Sequence, residues 1–396
     1  MQHSLESKAL EYLEDLKKDS NYRSLIPQQH AQARIKTNSS QWLLNLASND
    51  YLGLSTNTDF NARFLNSTLF KEHSYFSASS SRLLSGNFEI YSLLESHLKV
   101  LFNKEALLFN SGYHANIGTL SAFNALNVLF IADKSIHASQ IDGLKSFKKP
   151  HLKRFFHNDM ESLESLLTQN TEHYDALIIL SEGLFSMEGD FAPLQKLVAL
   201  KQKFNNVYLY IDEAHSIGSF GENGLGLCAH YNLLEHIDFL ILTFGKALSS
   251  MGACVLCNAT FKDYLINTAR SLIYSTALPP INLARTLFAF LELPKLEAKR
   301  AYLANLSKHF KTLLQQELDY EVLGDYNIMS LVLRENAKAV YFSKMLAKEG
   351  YFAPAIKTPS VPQNKALLRF SLTANLEFKS LENLVKILQK IAYAAL

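Results

Sequence analysis

Four short apolar runs, Val128 to Ile131, Ala176 to Leu180, Val207 to Ile211 and Phe239 to Leu242, each end in a polar cluster and are separated by segments of helical periodicity. Runs that are apolar throughout, rather than alternating, read as strands covered on both faces. Their alternation with helices predicts a mostly parallel, doubly wound α/β sheet. Such sheets bind ligands beyond the carboxyl ends of their strands, which directs attention to Asp133–Ser139, Ser181–Asp190, Asp212–His215 and Thr243–Lys246. From about Pro280 the pattern changes to long helical stretches, Asn282 to Leu293 and Glu297 to Leu318, with strand candidates at Ser330 to Leu333 and Leu367 to Leu372. The expected organisation is an N-terminal helical segment over residues 1–46, a large domain over 47–280 and a smaller C-terminal α+β domain over 281–396.

Composition narrows the partners. A net charge of +2 with 19% charged residues, none in a block, implies neither nucleic acid nor a membrane surface and leaves a small-molecule substrate. The first twenty residues mix charges with apolar positions at helical spacing, unlike a secretory signal, and no apolar run approaches the ~20 residues of a membrane helix. Cys228, Cys254 and Cys257 form no disulfide framework, which fits a reducing cytoplasm. Cys254 and Cys257 make a C-x-x-C without a second pair, inside an apolar stretch, and are read as strand packing rather than a redox or metal site.

Several residues in the strand-end segments carry chemistry. Lys246, in LTFGKAL, follows an apolar strand among small or hydroxylated neighbours. Desolvation there favours the neutral amine that a Schiff base requires, although a loop lysine at the surface has the same local sequence. Asp212 ends VYLYI and is followed by Glu213, Ala214 and His215. A carboxylate at that lip can hold a pyridine nitrogen protonated. The competing reading of DEAH as a nucleotide-and-magnesium motif needs an upstream phosphate loop, and the only Gly-Lys is Gly245–Lys246, with Leu240 at the first glycine position and Ala247 after the lysine. Ser111, Gly112 and Tyr113 open a helix-like stretch after an apolar run, either as a phosphate cradle or as an ordinary cap. His137 follows another strand, where it can stack on a planar ring or serve structure alone.

In order along the chain, LASNDYLGLS (46–55), SSRLLSGN (80–87), LLFNSGYHANIG (107–118), ADKSIHASQIDG (132–143), SEGLFSMEGDFAPL (181–194), IDEAHSIGSFGENGLG (211–226), TFGKAL (243–248) and IYSTALPP (273–280) resemble the α-oxoamine synthases, fold-type I transferases dependent on pyridoxal 5'-phosphate. The resemblance implies that Lys246 is the Schiff-base lysine, Asp212 the partner of the pyridine nitrogen, and His137 the residue stacked on the ring. It puts His215 and Ser186 near the phenolic oxygen. It implies that Ser111, Gly112, Tyr113 and Thr243 form the phosphate site with Thr276 of a neighbouring subunit, and a shared site of that kind implies a homodimer. Asn49 is implied near the amino acid and Arg23 at the acyl-thioester entrance. Within the group, SRLLSGN and YSTALPP are most similar to the members that join L-alanine to a pimeloyl thioester carried by coenzyme A or a carrier protein. Two alternatives accompany that reading: a sister synthase using another amino acid or acyl thioester, and a non-catalytic cofactor-binding relative.

The chain departs from the family pattern in three places. Lys357 stands where an arginine is expected to hold the amino acid's carboxylate, with Ser360 in place of threonine, and a lysine cannot reproduce a bidentate fork. Ser77-Ala78-Ser79 replaces a Gly-Ser-Gly, and Ser249 replaces a common glycine after KAL.

Overall fold

The computed structural model describes residues 4–18, 21–37, 41–145 and 151–394. Its centre is a seven-stranded sheet in the order Glu105–Phe109, Ala253–Cys257, Phe239–Thr243, Val207–Asp212, Ala176–Glu182, Val128–Asp133, Leu152–Phe155. Each of the four apolar runs is one of these strands. Neighbours are parallel from Phe239–Thr243 to Leu152–Phe155, and Ala253–Cys257 runs antiparallel to both of its neighbours. The strands are buried along nearly their whole length because helices cover both faces, which is why they contain no alternation. Cys254 and Cys257 lie fully buried in the reversed strand, as strand packing requires.

Parallel pairing puts the carboxyl ends of several strands side by side. Glu182 and Asp212 are direct partners across the ladder, and Asp212 also pairs with Ile241, two residues before Thr243. The helix Gly112–Ala122 starts at the same edge, capped by Ser111, whose hydroxyl accepts from the His114 N–H at 3.2 Å.

The C-terminal part is a four-stranded antiparallel sheet, Val322–Leu323, Ile328–Arg334, Ala366–Ser371 and Ala355–Ile356, covered by the helices Glu297–Glu317, Asn336–Lys348 and Phe378–Ala394. Two expectations are corrected. Residues 1–46 are not helical throughout: after the helix Leu5–Lys18 come the strands Gln29–Ala31, Arg34–Lys36 and Leu43–Asn45, the last paired in parallel with Tyr351–Phe352. The polar-apolar alternation of Arg34-Ile35-Lys36, with only Ile35 buried, is the local cause. The helix Pro280–Glu292 also packs on the large unit, through Phe288 against Phe60 (5.2 Å) and Phe64 (5.6 Å), so the small unit begins after it. A single apolar cluster then joins both units, from Leu44 to Ile391. Among the described residues no helix is long and apolar enough to cross a membrane.

Two of the departures from glycine have a backbone signature. Ser79 (φ 53°) and Ser249 (φ 48°) both lie in the left-handed region, where glycine carries no Cβ cost. A Ser79 N–H donating to Ser77 Oγ at 3.0 Å supports the first of these turns.

Candidate active site

A cavity of about 330 Å³ opens where the parallel strands end. Asn49, Ser111, Gly112, Tyr113, His137, Asp212, His215, Thr243 and Lys246 all line it. Residues spread over 198 positions of sequence converge there because all but Asn49 follow a strand of the central sheet or open a helix at one edge of it, and Asn49 reaches the same edge from the segment after Leu43–Asn45.

Lys246 Nζ lies 2.7 Å from His215 Nε2, and His215 Nδ1 lies 2.5 Å from Tyr51 Oη. Tyr51 Oη also donates to Asn49 Oδ1 at 3.1 Å. Since Tyr51 spends its one proton on Asn49, His215 carries its proton on Nδ1 and accepts from Lys246 at Nε2. Burial, then the charges of Lys246 and Arg369, hold His215 well below the ordinary histidine range, so the ring is neutral. Burial lowers the Lys246 amine to about 8 against the opposing pull of Asp212 and Glu182, and pushes the Tyr51 hydroxyl up to about 12.

Asp212, 6% exposed, accepts from Asn116 Nδ2 at 3.0 Å and from the Ala214 N–H at 2.9 Å. His137 caps the helix Ala138–Leu144, its Nδ1 accepting from the Ser139 N–H at 3.2 Å, and burial lowers its basicity while Asp212 opposes that shift. Tyr113 commits its hydroxyl to Asp142 at 2.8 Å, so what it offers the cavity is its backbone and ring.

Three residues that the sequence did not single out belong to this constellation. Glu182 lines the cavity, is 3% exposed, and has one oxygen with no hydrogen-bond partner among the described residues. Burial, then the neighbouring Asp212, raises its carboxyl well above the usual range. Tyr51 sets the His215 tautomer as above. Arg369, in the strand Ala366–Ser371, donates Nε to the Ser186 carbonyl at 2.6 Å and Nη2 to Asn49 Oδ1 at 3.3 Å. A lone cation inside LLRFSL was the available signal, and the segment read only as a strand.

The remaining sequence expectations fall outside the cavity lining. Ser186 meets the site through its backbone oxygen on Arg369 rather than through its hydroxyl. Lys357 and Ser360 do not reach the cavity; Ser360 Oγ accepts from Arg23 Nη2 at 3.5 Å. Arg369 is outside the lining as well, but its guanidinium reaches the lining residue Asn49, which makes it a second candidate beside Lys357 for holding a carboxylate. Thr276 is exposed and contributes only its backbone oxygen, to Asn110 Nδ2 at 2.8 Å.

The donor set fits pyridoxal 5'-phosphate. A Cβ added at Gly112 would lie 2.5 Å from Thr243 Cγ2, so this cradle at a helix start admits no larger residue, and free N–H groups there suit a phosphate. Asp212 is buried and accepts hydrogen bonds from neutral amides, an arrangement that a protonated pyridine nitrogen would complete. Lys246 supplies an amine with a depressed pKa, and the unpartnered Glu182 oxygen leaves a buried acceptor for a polar group.

Comparison with known proteins agrees. The aminotransferase class I and II family matches residues 42–388. The chain is similar to the 8-amino-7-oxononanoate synthase of Haemophilus ducreyi, 47% identical over 87% of this chain and 90% of that protein. Among solved structures it is similar to a Sphingomonas wittichii serine palmitoyltransferase (TM-score 0.88, 25% identity, 99% of this chain and 98% of that one). It is also similar to the 8-amino-7-oxononanoate synthase of Francisella tularensis (TM-score 0.74, 27% identity, 89% of this chain and 99% of that one).

Proposed function

The chain belongs to the aminotransferase class I and II family and to its α-oxoamine synthase group, acyltransferases dependent on pyridoxal 5'-phosphate, and on that premise we propose that it catalyses the 8-amino-7-oxononanoate synthase reaction of biotin biosynthesis. In that reaction the α-carbon of L-alanine bonds to the carbonyl of a pimeloyl thioester, the thiol and carbon dioxide leave, and an α-amino ketone results. The observation that carries the reading is the convergence of Lys246 and Asp212 in one strand-end cavity, with Arg369 hydrogen-bonded to Asn49 of its lining, together with the similarity to the synthases of Haemophilus ducreyi and Francisella tularensis.

When bound, the cofactor supplies an aldehyde that condenses with an amine and a ring that accepts an electron pair. Lys246 would be its attachment point, and once the amino acid's amine has displaced it there, the released neutral amine, accessible near pH 8, would take the α-proton at Nζ. His215, neutral and held by Tyr51, steadies that nitrogen through its Nε2 lone pair. Asp212 would keep a proton on the ring nitrogen, and His137 would cover one ring face. Arg369 takes the amino acid's carboxylate as a planar fork, aimed by Ser186 and Asn49. Arg23 and Ser360 guard the acyl entrance, with Lys357 beside them.

We propose further that two copies assemble, with Thr276 of one completing the phosphate site of the other. Support comes from exposed apolar side chains on joined segments: Tyr75, Phe76 and Tyr274 are 58%, 79% and 71% exposed, and the Ala277 N–H donates to Ser80 O at 2.9 Å. Three buried free thiols support a cytoplasmic setting.

Thiol release by the cofactor-loaded protein, with alanine, glycine and serine each paired with pimeloyl and longer acyl thioesters, tests the function. Preference for alanine with the pimeloyl thioester is expected. Preference for another pair moves the chain to a sister activity, and silence across the panel supports a non-catalytic relative.

A further inference from the structure

We propose that Asn116 is a positioning residue that couples the ring-nitrogen partner Asp212 to the ring-facing His137 through a single buried amide, and that Tyr210 locks that amide in place. The proposal rests on the cofactor reading above. Asn116 is 2% exposed, on the helix that begins at the Gly112 cradle. Its Nδ2 donates to Asp212 Oδ2 at 3.0 Å and to Ser139 Oγ at 2.9 Å. Its Oδ1 accepts from Tyr210 Oη at 2.6 Å. A carboxylate only accepts, so the nitrogen must face Asp212, and the Tyr210 hydroxyl is left to meet the oxygen.

The second amide proton continues the chain. Ser139 Oγ, having accepted from Asn116, donates to His137 Nδ1 at 2.7 Å. The Ser139 N–H points at the same nitrogen, so His137 carries its proton on Nε2. One amide thus uses both its protons and its oxygen, with Asp212, Ser139 and Tyr210 all at 6% exposure or less. No neighbouring group can rotate without leaving a buried polar atom unpaired. Tyr210 and Asp212 flank Ile211 on one strand, so the lock and the group it steadies move as one body, while the helix carrying Asn116 also forms the phosphate cradle. A single element thereby relates the Gly112 cradle, the Asp212 carboxylate and His137.

Asn116→Leu, close in volume and without hydrogen-bonding atoms, tests this in the cofactor-loaded protein. The expected results are at least a tenfold rise in the cofactor dissociation constant, a smaller visible circular dichroism of the bound chromophore, and at least tenfold slower exchange of the alanine α-proton, with KM for alanine within threefold. Ser139→Ala removes only the histidine arm and should lower the dichroism while leaving α-proton exchange within threefold. Tyr210→Phe, which keeps the ring packing and so remains readable if the leucine variant fails to fold, should weaken cofactor binding about threefold and lower the melting temperature of the cofactor-free protein by only a few degrees. Unchanged dichroism and dissociation constant in both Asn116→Leu and Tyr210→Phe would overturn the coupling while leaving the cofactor reading intact. A native protein that takes up no borohydride-reducible chromophore would overturn both.

Discussion

The guanidinium of Arg369 donates to the side-chain oxygen of Asn49 at 3.3 Å, joining residues 320 positions apart in the sequence. The same Asn49 oxygen receives the Tyr51 hydroxyl, so the path from Lys246 through His215 and Tyr51 ends on the cation proposed to hold the substrate's carboxylate.

Arg369→Lys should raise KM for the amino acid about a hundredfold, the ~3 kcal/mol upper range for a charged hydrogen-bonding site left imperfectly paired. Lys357→Ala should leave that KM within twofold. Steady-state thiol release with varied alanine measures both, and the reverse ranking would return the carboxylate to Lys357.

Lys246 governs a pH dependence that can be read before any turnover. Its folded pKa is lowered from 10.5 to about 8, so the reactive neutral amine is scarce below pH 8 and becomes dominant above it. The rate of cofactor attachment to the cofactor-free protein should therefore climb through a midpoint near pH 8 and level off. A midpoint near the ordinary lysine value would show that the amine is not desolvated. Lys246→Ala should abolish the borohydride-reducible chromophore and leave the fold intact.

Tyr51→Phe removes the group that holds His215 Nδ1 and leaves that buried N–H without an acceptor. We expect kcat to fall about tenfold, the ~1.4 kcal/mol of one neutral hydrogen bond, with KM for alanine little changed. An unaltered kcat would show that the His215 tautomer is set elsewhere.

His157 lies between Asp133 (2.9 Å from Nδ1) and Asp190 (3.0 Å from Nε2), pinning the turn that carries Ser186 to the central sheet. Burial pulls its pKa down, but hydrogen bonds to both carboxylates raise it to about 10. With the folded value raised, the stabilisation is fully present below pH 6.5 and is lost as pH rises through 10. His157→Gln should lower stability by about 2 kcal/mol at pH 6, less than for a fully buried pair since the site is partly open. Melting curves of both proteins should draw together towards pH 10; a gap independent of pH would mean that packing, not charge, holds the turn.

Ser249, with φ at 48°, pays a Cβ penalty just after the lysine segment. Ser249→Gly should stabilise the protein by about 0.5–1 kcal/mol, since relief of the left-handed strain exceeds the added chain entropy. A lower melting temperature would show that the serine side chain contributes more than its backbone costs.

The order of apolar runs and polar clusters determined the parallel sheet, and with it the meeting of Lys246, Asp212, His137, His215, Gly112 and Thr243 at one edge. Period and composition are local properties, and in a parallel sheet the residue after each strand has only one end at which to emerge. Tertiary structure alone decided the partners that complete them. Arg369 sits on an antiparallel sheet whose docking depends on the packing of a second unit, and Glu182, Tyr51 and Asn116 acquire their roles from burial, which turns an ordinary polar side chain into one whose every hydrogen bond must be placed. Lys357 shows the converse: a motif position suggested a charge in the site, but the cation that is hydrogen-bonded to a residue of the cavity lining is Arg369, because register along a strand does not fix where the following turn will point.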